Sequence, residues 1–542
     1  MSSELTEMAS TSAVTLEASK PNSDTAPKHQ KLGGYDFYRQ TLGSPKYVVA
    51  PMVDQSELAW RRLSRRYGAQ LIYTPMINAK IFVDSSNQTY RQANFDMING
   101  EEGDPNTDRP LIVQFCANNP DQLLTSALAV EKHCDAIDLN LGCPQDIAKK
   151  GRYGSFLQDD WELIYKLVNT LHTNLSIPVT AKFRVFPTVE KTVEYAKMLE
   201  RAGAQIIACH GRIREQRGQN TGLADWSKIR AVKEAISVPV FANGNILYQS
   251  DIIRCLQETG ADGVMSAEGQ LYNPALFNGI ERPLASSFLS PAEAGSEPES
   301  AYESDEEILI RQPLHADLAL EYLDIVDELK TATNPSAVKG HLFKIMRPAL
   351  AKEPDLREKL GKVRISPKKR KELVKAYRDI CEEMKMRMDR DAKVAEGTPL
   401  KALTAVEPMT GLQVMPHWLA QPYFRPSPEQ RKTYSEKKTE DITNSCSLEQ
   451  TTAPDTLEAS SVPKATLVAS FTALPGVLAT PISKRPLEED KLSESVPANL
   501  SQSSLPPSPK RVKIANGSSQ APSGSMSYEV VKLVEVEVQV AP

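Results

Sequence analysis

Eight short apolar runs recur between Tyr47 and Gly279, and this repetition constrains the fold more than any other feature. Most runs are separated by stretches with helical periodicity, such as DQLLTSALAVEKH and TVEYAKMLERAG. A strand followed by a helix, repeated, produces a parallel sheet with right-handed crossovers. The runs are YVVAPM (47–52), QLIYTP (70–75), LIVQFC (111–116), AIDLNL (136–141), PVTAKF (178–183), QIIACH (205–210), PVFAN (239–243) and DGVMSA (262–267).

Eight near-equal units predict an α/β fold, a closed (β/α)8 TIM barrel over residues 45–280. Such a barrel typically takes about 250 residues, which matches this span. An open doubly wound sheet is the alternative. We favour the barrel because eight similar units close more naturally than they stay open.

Composition divides the rest of the chain into four parts. Residues 1–32 are rich in Ser, Thr, Glu and Lys and predict a disordered arm. Residues 281–307 form an acidic Ser/Glu/Pro linker. Helical periodicity returns over residues 308–395 and predicts a small all-α domain. Residues 396–542 are dominated by Pro, Ser and Thr and predict a disordered tail.

Charge and cysteine usage exclude several classes of protein. The net charge of -5 gives no sign of a nucleic-acid ligand, so any such contact must come from a local basic surface. The 7 cysteines are irregularly spaced and form no Cys-x-x-Cys pair, which argues against a zinc site or a disulfide scaffold. We see no secretory signal and no apolar run long enough for a membrane span. We therefore expect no metal, no membrane contact and a reducing compartment, the nucleus or the cytoplasm.

Polar residues interrupt or end several of the apolar runs. Gln114 and Lys182 lie within them, and His210 ends one. Each alone is more often a buried group with a local hydrogen-bond partner. Alternation along the strands could, however, aim all three at the mouth where the active site of such a barrel forms. Together they suit an anionic, planar, hydrogen-bonding ligand.

Flavin mononucleotide meets that description. Its phosphate favours the loops after the seventh and eighth strands, Gln114 would bind the ring edge, and Lys182 would stabilise the reduced anion. The chain has no G-x-G-x-x-G motif. A nicotinamide donor would therefore bind at the flavin itself, because no Rossmann domain is present to hold it. The predicted cofactor contacts are Pro51, Met52, Val53, Gln114, Lys182, His210, Asn243, Gly244, Asn245, Ala267 and Glu268.

Cys143 is the predicted catalytic residue. It lies between Gly142 and Pro144, just past the fourth strand, in a segment that should project over the barrel mouth. The other six cysteines fit the usual role of buried core filler. An unperturbed thiol, with a pKa of about 8.5, is mostly protonated at neutral pH and can donate a proton.

The segment NLGCP (140–144), with GRYGSFL (151–157) downstream, resembles the signature of the tRNA-dihydrouridine synthases. The motifs APMVD, KFR, HGR and NGN also occur, in the order expected for that family. The resemblance covers about residues 45–280 and implies a flavin barrel followed by a small helical domain. The runs PMVDQSELAWRRLSRR and MSAEG…LYNPALF are similar to the eukaryotic branch that acts on positions 16 and 17 of the tRNA D-loop.

Two positions depart from the wider pattern of this family. Ile213 stands where many relatives have Thr, and Ala267-Glu268 stands where many have Gly-Arg. The arginine for the flavin phosphate is therefore missing after the eighth strand. Backbone amides at 267–269 would have to serve in its place.

The resemblance implies two half-reactions. NADPH or NADH reduces the flavin, and hydride then passes from flavin N5 to C6 of uridine. Cys143 would protonate C5 from the opposite side, while Asn140, Arg184 and Arg212 contact the substrate. The uridine must be flipped out or loop-exposed to reach this site. We expect a monomer with tRNA and a nicotinamide dinucleotide as partners.

The helical domain concentrates positive charge. Residues 338–390 contain 17 Lys and Arg against 8 Asp and Glu. A solvated charged face explains any single residue, but a cluster favours phosphate binding, because the contributions of several charges add. The predicted tRNA contacts are Lys368, Lys369, Arg370 and Lys371, with Lys339, Lys344, Arg347, Arg364, Lys375 and Arg378 beside them.

The tail carries a candidate import signal. PPSPKRVKI (506–514) places three cations within four residues behind prolines, and Lys484-Arg485 lies upstream. A stray basic patch on a solvated tail is the alternative. Phosphorylation of Ser508 would put negative charge beside the cations.

Three other functions compete with tRNA reduction. A flavin barrel acting on a free pyrimidine or dihydroorotate would have no use for the basic helical domain. A non-catalytic RNA-binding protein on an inactive barrel would have no need of Cys143 and the flavin set. A phosphosugar isomerase or aldolase would require a Schiff-base Lys or paired carboxylates, and gives no reason for the NLGCP loop.

Overall fold

The computed structural model describes residues 31–84, 86–279, 313–366, 369–423, 426 and 429–435, with the side chain of Gln219 left out. The linker 281–307, nearly all of the arm 1–32, Lys368 and the chain from 436 onward lie outside the described residues. The predictions for those parts stay predictions.

Eight parallel strands close into a barrel in the order β1-β2-β4-β5-β6-β7-β8-β9, and the pairing of β2 with β4 completes the ring. The predicted TIM barrel is confirmed, and the open sheet is wrong. A ninth strand, β3, lies beside β4 and was not predicted. The strands are β1 (Tyr47–Val49), β2 (Leu71–Tyr73), β3 (Ile77–Asn78), β4 (Leu111–Cys116), β5 (Ala136–Leu141), β6 (Val179–Arg184), β7 (Ala204–His210), β8 (Val240–Asn243) and β9 (Gly263–Ser266).

Helices follow the strands and cover the outside of the barrel. Several begin at a side chain that accepts the N–H of the third helical residue, as Asp160, Thr188 and Asp225 do. The helices are α1 (Gly34–Asp36), α2 (Leu58–Arg66), α3 (Ala79–Val83), α4 (Gln88–Asn94), α5 (Pro120–Val130), α6 (Asp146–Gly151), α7 (Trp161–Asn174), α8 (Val189–Arg201), α9 (Trp226–Ala235), α10 (Gln249–Thr259) and α11 (Glu268–Tyr272). Single turns lie at Phe37–Thr41, Glu131–His133, Gly154–Leu157 and Gly218–Asn220.

The interior of the barrel is apolar in its lower layers. Side chains such as Ile112, Phe241 and Met265 pack there in one cluster. Phe37 and Tyr38 join that cluster from below and close the end opposite the mouth. The barrel domain therefore begins earlier than the predicted residue 45.

Residue 31, predicted to belong to the arm, is tied to the barrel. Lys31 Nζ donates to the carbonyl oxygens of His172, Leu175 and Ile177 at 2.7, 2.9 and 3.1 Å. Three acceptors satisfy all three donors of one ammonium group. The prediction of a disordered arm thus does not hold at its last residues.

The helical domain shares a core with the barrel helix α2. Trp60 of α2 stacks on His341 with ring centroids 3.9 Å apart. Glu57 accepts hydrogen bonds from Tyr322 Oη at 2.7 Å and His341 Nε2 at 3.0 Å. The helices are α12 (His315–Glu328), α13 (Pro335–Ile345), α14 (Arg347–Lys352), α15 (Pro354–Lys362), α16 (Arg370–Val394) and α17 (Leu400–Leu403). None of the helices described is long and apolar enough to span a bilayer.

Residues 405–423 are folded, contrary to the prediction of a disordered tail from residue 396. β10 (Ala405–Val406) pairs with β11 (Gln413–Val414) in an antiparallel hairpin. Leu419 then forms a β-bridge with Leu314, and Ala420 is completely buried. We call residues 413–423 the strap. It was missed because two-residue strands and isolated contacts leave no periodicity in a sequence.

Candidate active site

Polar side chains fill the upper, C-terminal end of the barrel. Parallel register places Lys182 beside Asn140, and His210 between Arg184 and Asn243. Side chains alternate between the two faces of a strand, so residues an even number of positions apart share a face. Each of these polar residues lies either an even number of positions after an inward-facing apolar residue or beside an inward-facing residue of the next strand. Their side chains therefore point into the barrel. The structure thus brings together the polar residues that the sequence predicted at the mouth.

A buried carboxylate, which the sequence analysis did not select, orients the amide of Gln114. Gln114 Nε2 donates to Asp138 Oδ2 at 2.7 Å, and Thr180 Oγ1 donates to Asp138 Oδ1 at 2.6 Å. Burial raises the pKa of Asp138 to about 6, although both hydrogen bonds oppose that rise. The signal for Asp138 was present, since its inward position on β5 follows from the same alternation.

Gln114 also connects to the loop that carries Cys143. Asn140 Nδ2 donates to Gln114 Oε1 at 2.8 Å. The other end of the same amide, Asn140 Oδ1, accepts the backbone N–H of Gly142 at 3.2 Å and of Cys143 at 2.9 Å. Asn140 therefore positions the loop, in addition to the predicted contact with substrate.

The Cys143 loop is held from its other side by Ser155. The carbonyl oxygen of Cys143 accepts from Ser155 N at 3.0 Å and Ser155 Oγ at 2.9 Å. Gly154 has φ +65°, and a Cβ there would lie 2.7 Å from that same carbonyl oxygen. Burial raises the pKa of the Cys143 thiol, so the sulfur is protonated at neutral pH. A fixed, partly buried thiol is suited to donating a proton.

Lys182 is bound within the polar layer. Its Nζ donates to Asn243 Oδ1 at 2.8 Å, and Asn243 Nδ2 donates to the carbonyl oxygen of Met265 at 2.7 Å. Burial, followed by the charge of Arg184, lowers the pKa of Lys182 to about 8. The lysine still carries a proton at neutral pH, and a bound anion would stabilise that charge.

A cavity of about 340 Å³ opens above β7, β8 and β9. It falls within the size range of small-molecule sites. Tyr423, in the strap, was not predicted to belong here. The lining residues include Pro144, Arg184, His210, Arg212, Asn243, Gly244, Asn245, Leu247, Ala267, Glu268, Gly269 and Tyr423.

Arg212 lies at the end of the cavity where the sequence predicts a phosphate. Its Nη2 donates to Asn245 Oδ1 at 2.5 Å, and its Nε donates to the carbonyl oxygen of Gly222 at 3.0 Å. Burial lowers the pKa of Arg212 to about 10, which leaves it charged. No arginine follows β9 to bind the phosphate, and Arg212 provides that positive charge from the end of β7 instead.

Two glycines shape the cradle around this end. Gly244 has φ +114°, and a Cβ there would lie 2.7 Å from Ala224 Cβ. A Cβ on Gly269 would lie 2.2 Å from the carbonyl oxygen of Ile246, so the loops after β8 and β9 meet closely only because residue 269 is glycine. Within the described part of the chain, the backbone N–H groups of Asn245 and Ile246 find no acceptor. They are available to an anion.

The arrangement favours an anionic ligand. Lys182, Arg184 and Arg212 are all largely buried at one mouth, and burial lowers the pKa of each. Burial also lowers the pKa of His210 well below its usual range, so that imidazole is neutral. The donors and the cations together fit a phosphate-bearing planar ligand such as flavin mononucleotide. Among the described residues, no cluster of His, Cys, Asp and Glu suits a metal ion.

Other predicted contacts lie away from this cavity. Pro51, Met52 and Val53 follow β1 on the same face of the barrel but do not line the cavity. Lys369, just before α16, pairs with Glu372 at 3.0 Å, and Lys371 lies 3.8 Å from Asp327.

Arg370, the third described member of the predicted basic cluster, donates to the carbonyl oxygen of Leu329. Lys344 instead reaches the loop after β1, where its Nζ donates to Gln55 Oε1 at 2.7 Å. The structure therefore places Lys344 beside the loop after β1, while the tRNA contacts at Lys369, Arg370 and Lys371 stay predictions.

Comparison with known proteins identifies a family. The model of the dihydrouridine synthase (Dus) family matches residues 48–363. A tRNA-dihydrouridine(16/17) synthase [NAD(P)(+)]-like protein of Rattus norvegicus is 46% identical over 401 residues, covering 74% of this chain and 78% of its own. A tRNA-dihydrouridine(16/17) synthase [NAD(P)(+)] of Saccharomyces cerevisiae is 44% identical over 406 residues, covering 73% and 87% respectively.

Proposed function

The chain belongs to the dihydrouridine synthase family, and on that premise we propose that it is a tRNA-dihydrouridine(16/17) synthase that uses flavin mononucleotide and NADPH or NADH. The observation that carries the proposal is the placement of the Cys143 thiol, held by Asn140 and Ser155, at the same barrel mouth as a cationic cavity. The names of the two relatives support the substrate and the nicotinamide.

The cofactor contacts divide between the two ends of the flavin. Lys182 and Gln114 lie at the end that suits the ring, where Lys182 would compensate negative charge on the pyrimidine portion. Arg212 and the backbone N–H groups of Asn245 and Ile246 suit the phosphate. Asp138 acts through Gln114, whose amide it orients.

In the reaction, flavin when bound supplies hydride to C6 of the uracil ring, after receiving it from the nicotinamide. The protein contributes the proton. Cys143 Sγ–H gives its proton to C5 and is left as a thiolate, which regains a proton from solvent. Arg184 lines the cavity and is placed to contact the uracil carbonyls, where negative charge accumulates as hydride arrives.

The experiment is to purify the full chain, record its visible spectrum, and incubate it with unmodified tRNA and NADPH. We expect flavin bands and dihydrouridine at positions 16 and 17, located by primer extension or mass spectrometry. Flavin without product on tRNA would point to a free-pyrimidine oxidoreductase. Absence of flavin would point to a non-catalytic barrel.

We also propose that the basic segment 506–514 directs part of the protein to the nucleus, the remainder staying in the cytoplasm. The support is its three cations behind prolines. The test is a deletion that starts at residue 436, because it removes the basic segment and leaves the strap in place. Identical distribution of the truncated and intact proteins would contradict the proposal.

A further inference from the structure

The strap brings a residue from far along the chain into the cavity. Tyr423 lines it together with Leu247, in the loop after β8, and with Glu268 and Gly269, at the start of α11 after β9. The match to the family model ends at residue 363, so Tyr423 lies outside that match.

The strap is tied to the loops that surround the phosphate end. Tyr248, the residue before α10, donates through its hydroxyl to the carbonyl oxygen of Gln413 at 2.9 Å. The ring of Tyr423 packs against that of Tyr272, the last residue of α11, with centroids 5.6 Å apart. The two ends of the strap thus contact the elements that follow β8 and β9.

The helical domain holds the ring of Tyr423 from its other side. The guanidinium carbon of Arg347, at the start of α14, lies 3.5 Å from the ring centroid. Such a cation–π contact is attractive, and it is stronger where the pair is shielded from water. Arg347 was predicted to contact tRNA phosphate, but here its guanidinium covers an aromatic ring.

Hydrogen bonds within the strap, and between the strap and the helical domain, fix the position of Tyr423. Gln421 Nε2 donates to the carbonyl oxygen of Met415 at 2.9 Å, and Gln421 Oε1 accepts from Met415 N at 3.2 Å. His417 Nε2 lies 2.9 Å from Asp391 Oδ2 on α16. Backbone bonds from His315 N to Trp418 and from Ala420 N to Pro313 join the strap to the beginning of α12.

We propose that Tyr423, clamped by Arg347, is a cofactor-positioning residue that covers the phosphate end of the flavin site and slows release of the flavin. This inference rests on the proposed function. A nucleotide of the tRNA is the other possible neighbour of the ring. The flavin is favoured because the strap contacts Tyr248 and Tyr272, which follow β8 and β9, the two strands whose ends form the phosphate cradle.

The test measures flavin release from the full-length protein after dilution, followed by the recovery of free-flavin fluorescence. Tyr423→Ala is expected to release flavin mononucleotide roughly 3- to 10-fold faster than wild type, the range that one aromatic contact provides. Tyr423→Phe keeps the ring and should resemble wild type. Tyr434→Ala removes a tyrosine that does not line the cavity and serves as the matched control.

Arg347→Gln provides a second test in case Tyr423→Ala folds poorly. It leaves Tyr423 in place and removes only the cation over its ring. It should also accelerate release. Equal release rates for wild type and both variants overturn the inference, and so does unchanged release with weakened tRNA binding. Failure of the proposed function looks different, because wild-type protein would then either hold no flavin or form no dihydrouridine in tRNA.

Discussion

Asn140 Oδ1 accepts the backbone N–H of Cys143 at 2.9 Å, while Nδ2 of the same side chain donates to Gln114 Oε1 at 2.8 Å. One buried amide therefore connects the loop of the proton donor with a side chain proposed to contact the flavin. The position of the thiol relative to the flavin depends on this contact rather than on the loop alone.

Replacing Asn140 with Ala should therefore slow the reduction of uridine. Two backbone N–H groups lose their acceptor, and a small displacement of a reacting group costs up to about 10²-fold in rate. Single-turnover reduction of tRNA by prereduced enzyme measures this step. A rate equal to wild type would mean that Asn140 does not position the loop.

Cys143→Ala should accept hydride from NADPH at the normal rate but fail to reduce tRNA efficiently. Only the second half-reaction needs the proton, and general-acid catalysis typically contributes about 10²–10⁴-fold. Flavin bleaching and dihydrouridine formation measure the two steps separately. Since burial raises the pKa of the thiol, wild-type uridine reduction should decline only at pH above the ordinary range of a cysteine. A variant as fast as wild type would remove Cys143 from the mechanism.

Binding of flavin mononucleotide to the apoprotein should weaken as pH rises through about 8. Burial lowers the pKa of Lys182 to about 8, so its charge is present below that pH and lost above it. A bound anion raises this pKa again, because it stabilises the protonated form. Titrations between pH 7 and 9.5 measure the effect. Lys182→Met should bind more weakly and show little pH dependence, and an unchanged pH profile in that variant would contradict the assignment.

Arg212→Ala should weaken binding of flavin mononucleotide much more than binding of riboflavin. Losing a hydrogen bond to a charged group costs about 1.5–3 kcal/mol, and riboflavin has no phosphate to lose. Comparing the two dissociation constants in one variant separates loss of the phosphate contact from general damage. Equal weakening for both ligands would place the phosphate elsewhere.

Lys344→Ala should reduce tRNA affinity and lower the slope of its salt dependence by about one unit, as expected for one lost phosphate contact. Lys344 adjoins the mouth through Gln55. Lys375→Ala is the control, because Lys375 forms an ion pair with Asp379 at 3.0 Å on the outer face of α16. The reverse ranking of the two variants would favour the predicted surface around Lys369 and Lys371 instead.

The barrel could be predicted from the sequence because strands and helices are local and repetitive. Alternation along each strand also identified Gln114, Lys182 and His210 as residues that converge on one mouth. The same rule points to Asp138, which the sequence analysis did not select. Its partners, Gln114 and Thr180, become visible only when β4, β5 and β6 lie side by side.

The sequence by itself determined the repeating strand–helix pattern, the polar strand ends and the exceptional position of Cys143. Only the tertiary structure decided which residues complete the site. Arg212 meets Asn245 across the ends of two strands, and Tyr423 reaches the cavity from a strap that lies more than a hundred residues further along the chain. Such contacts join chain segments that are distant in sequence. The periodicity of a segment indicates only which of its own side chains are buried, and not which distant residues they meet.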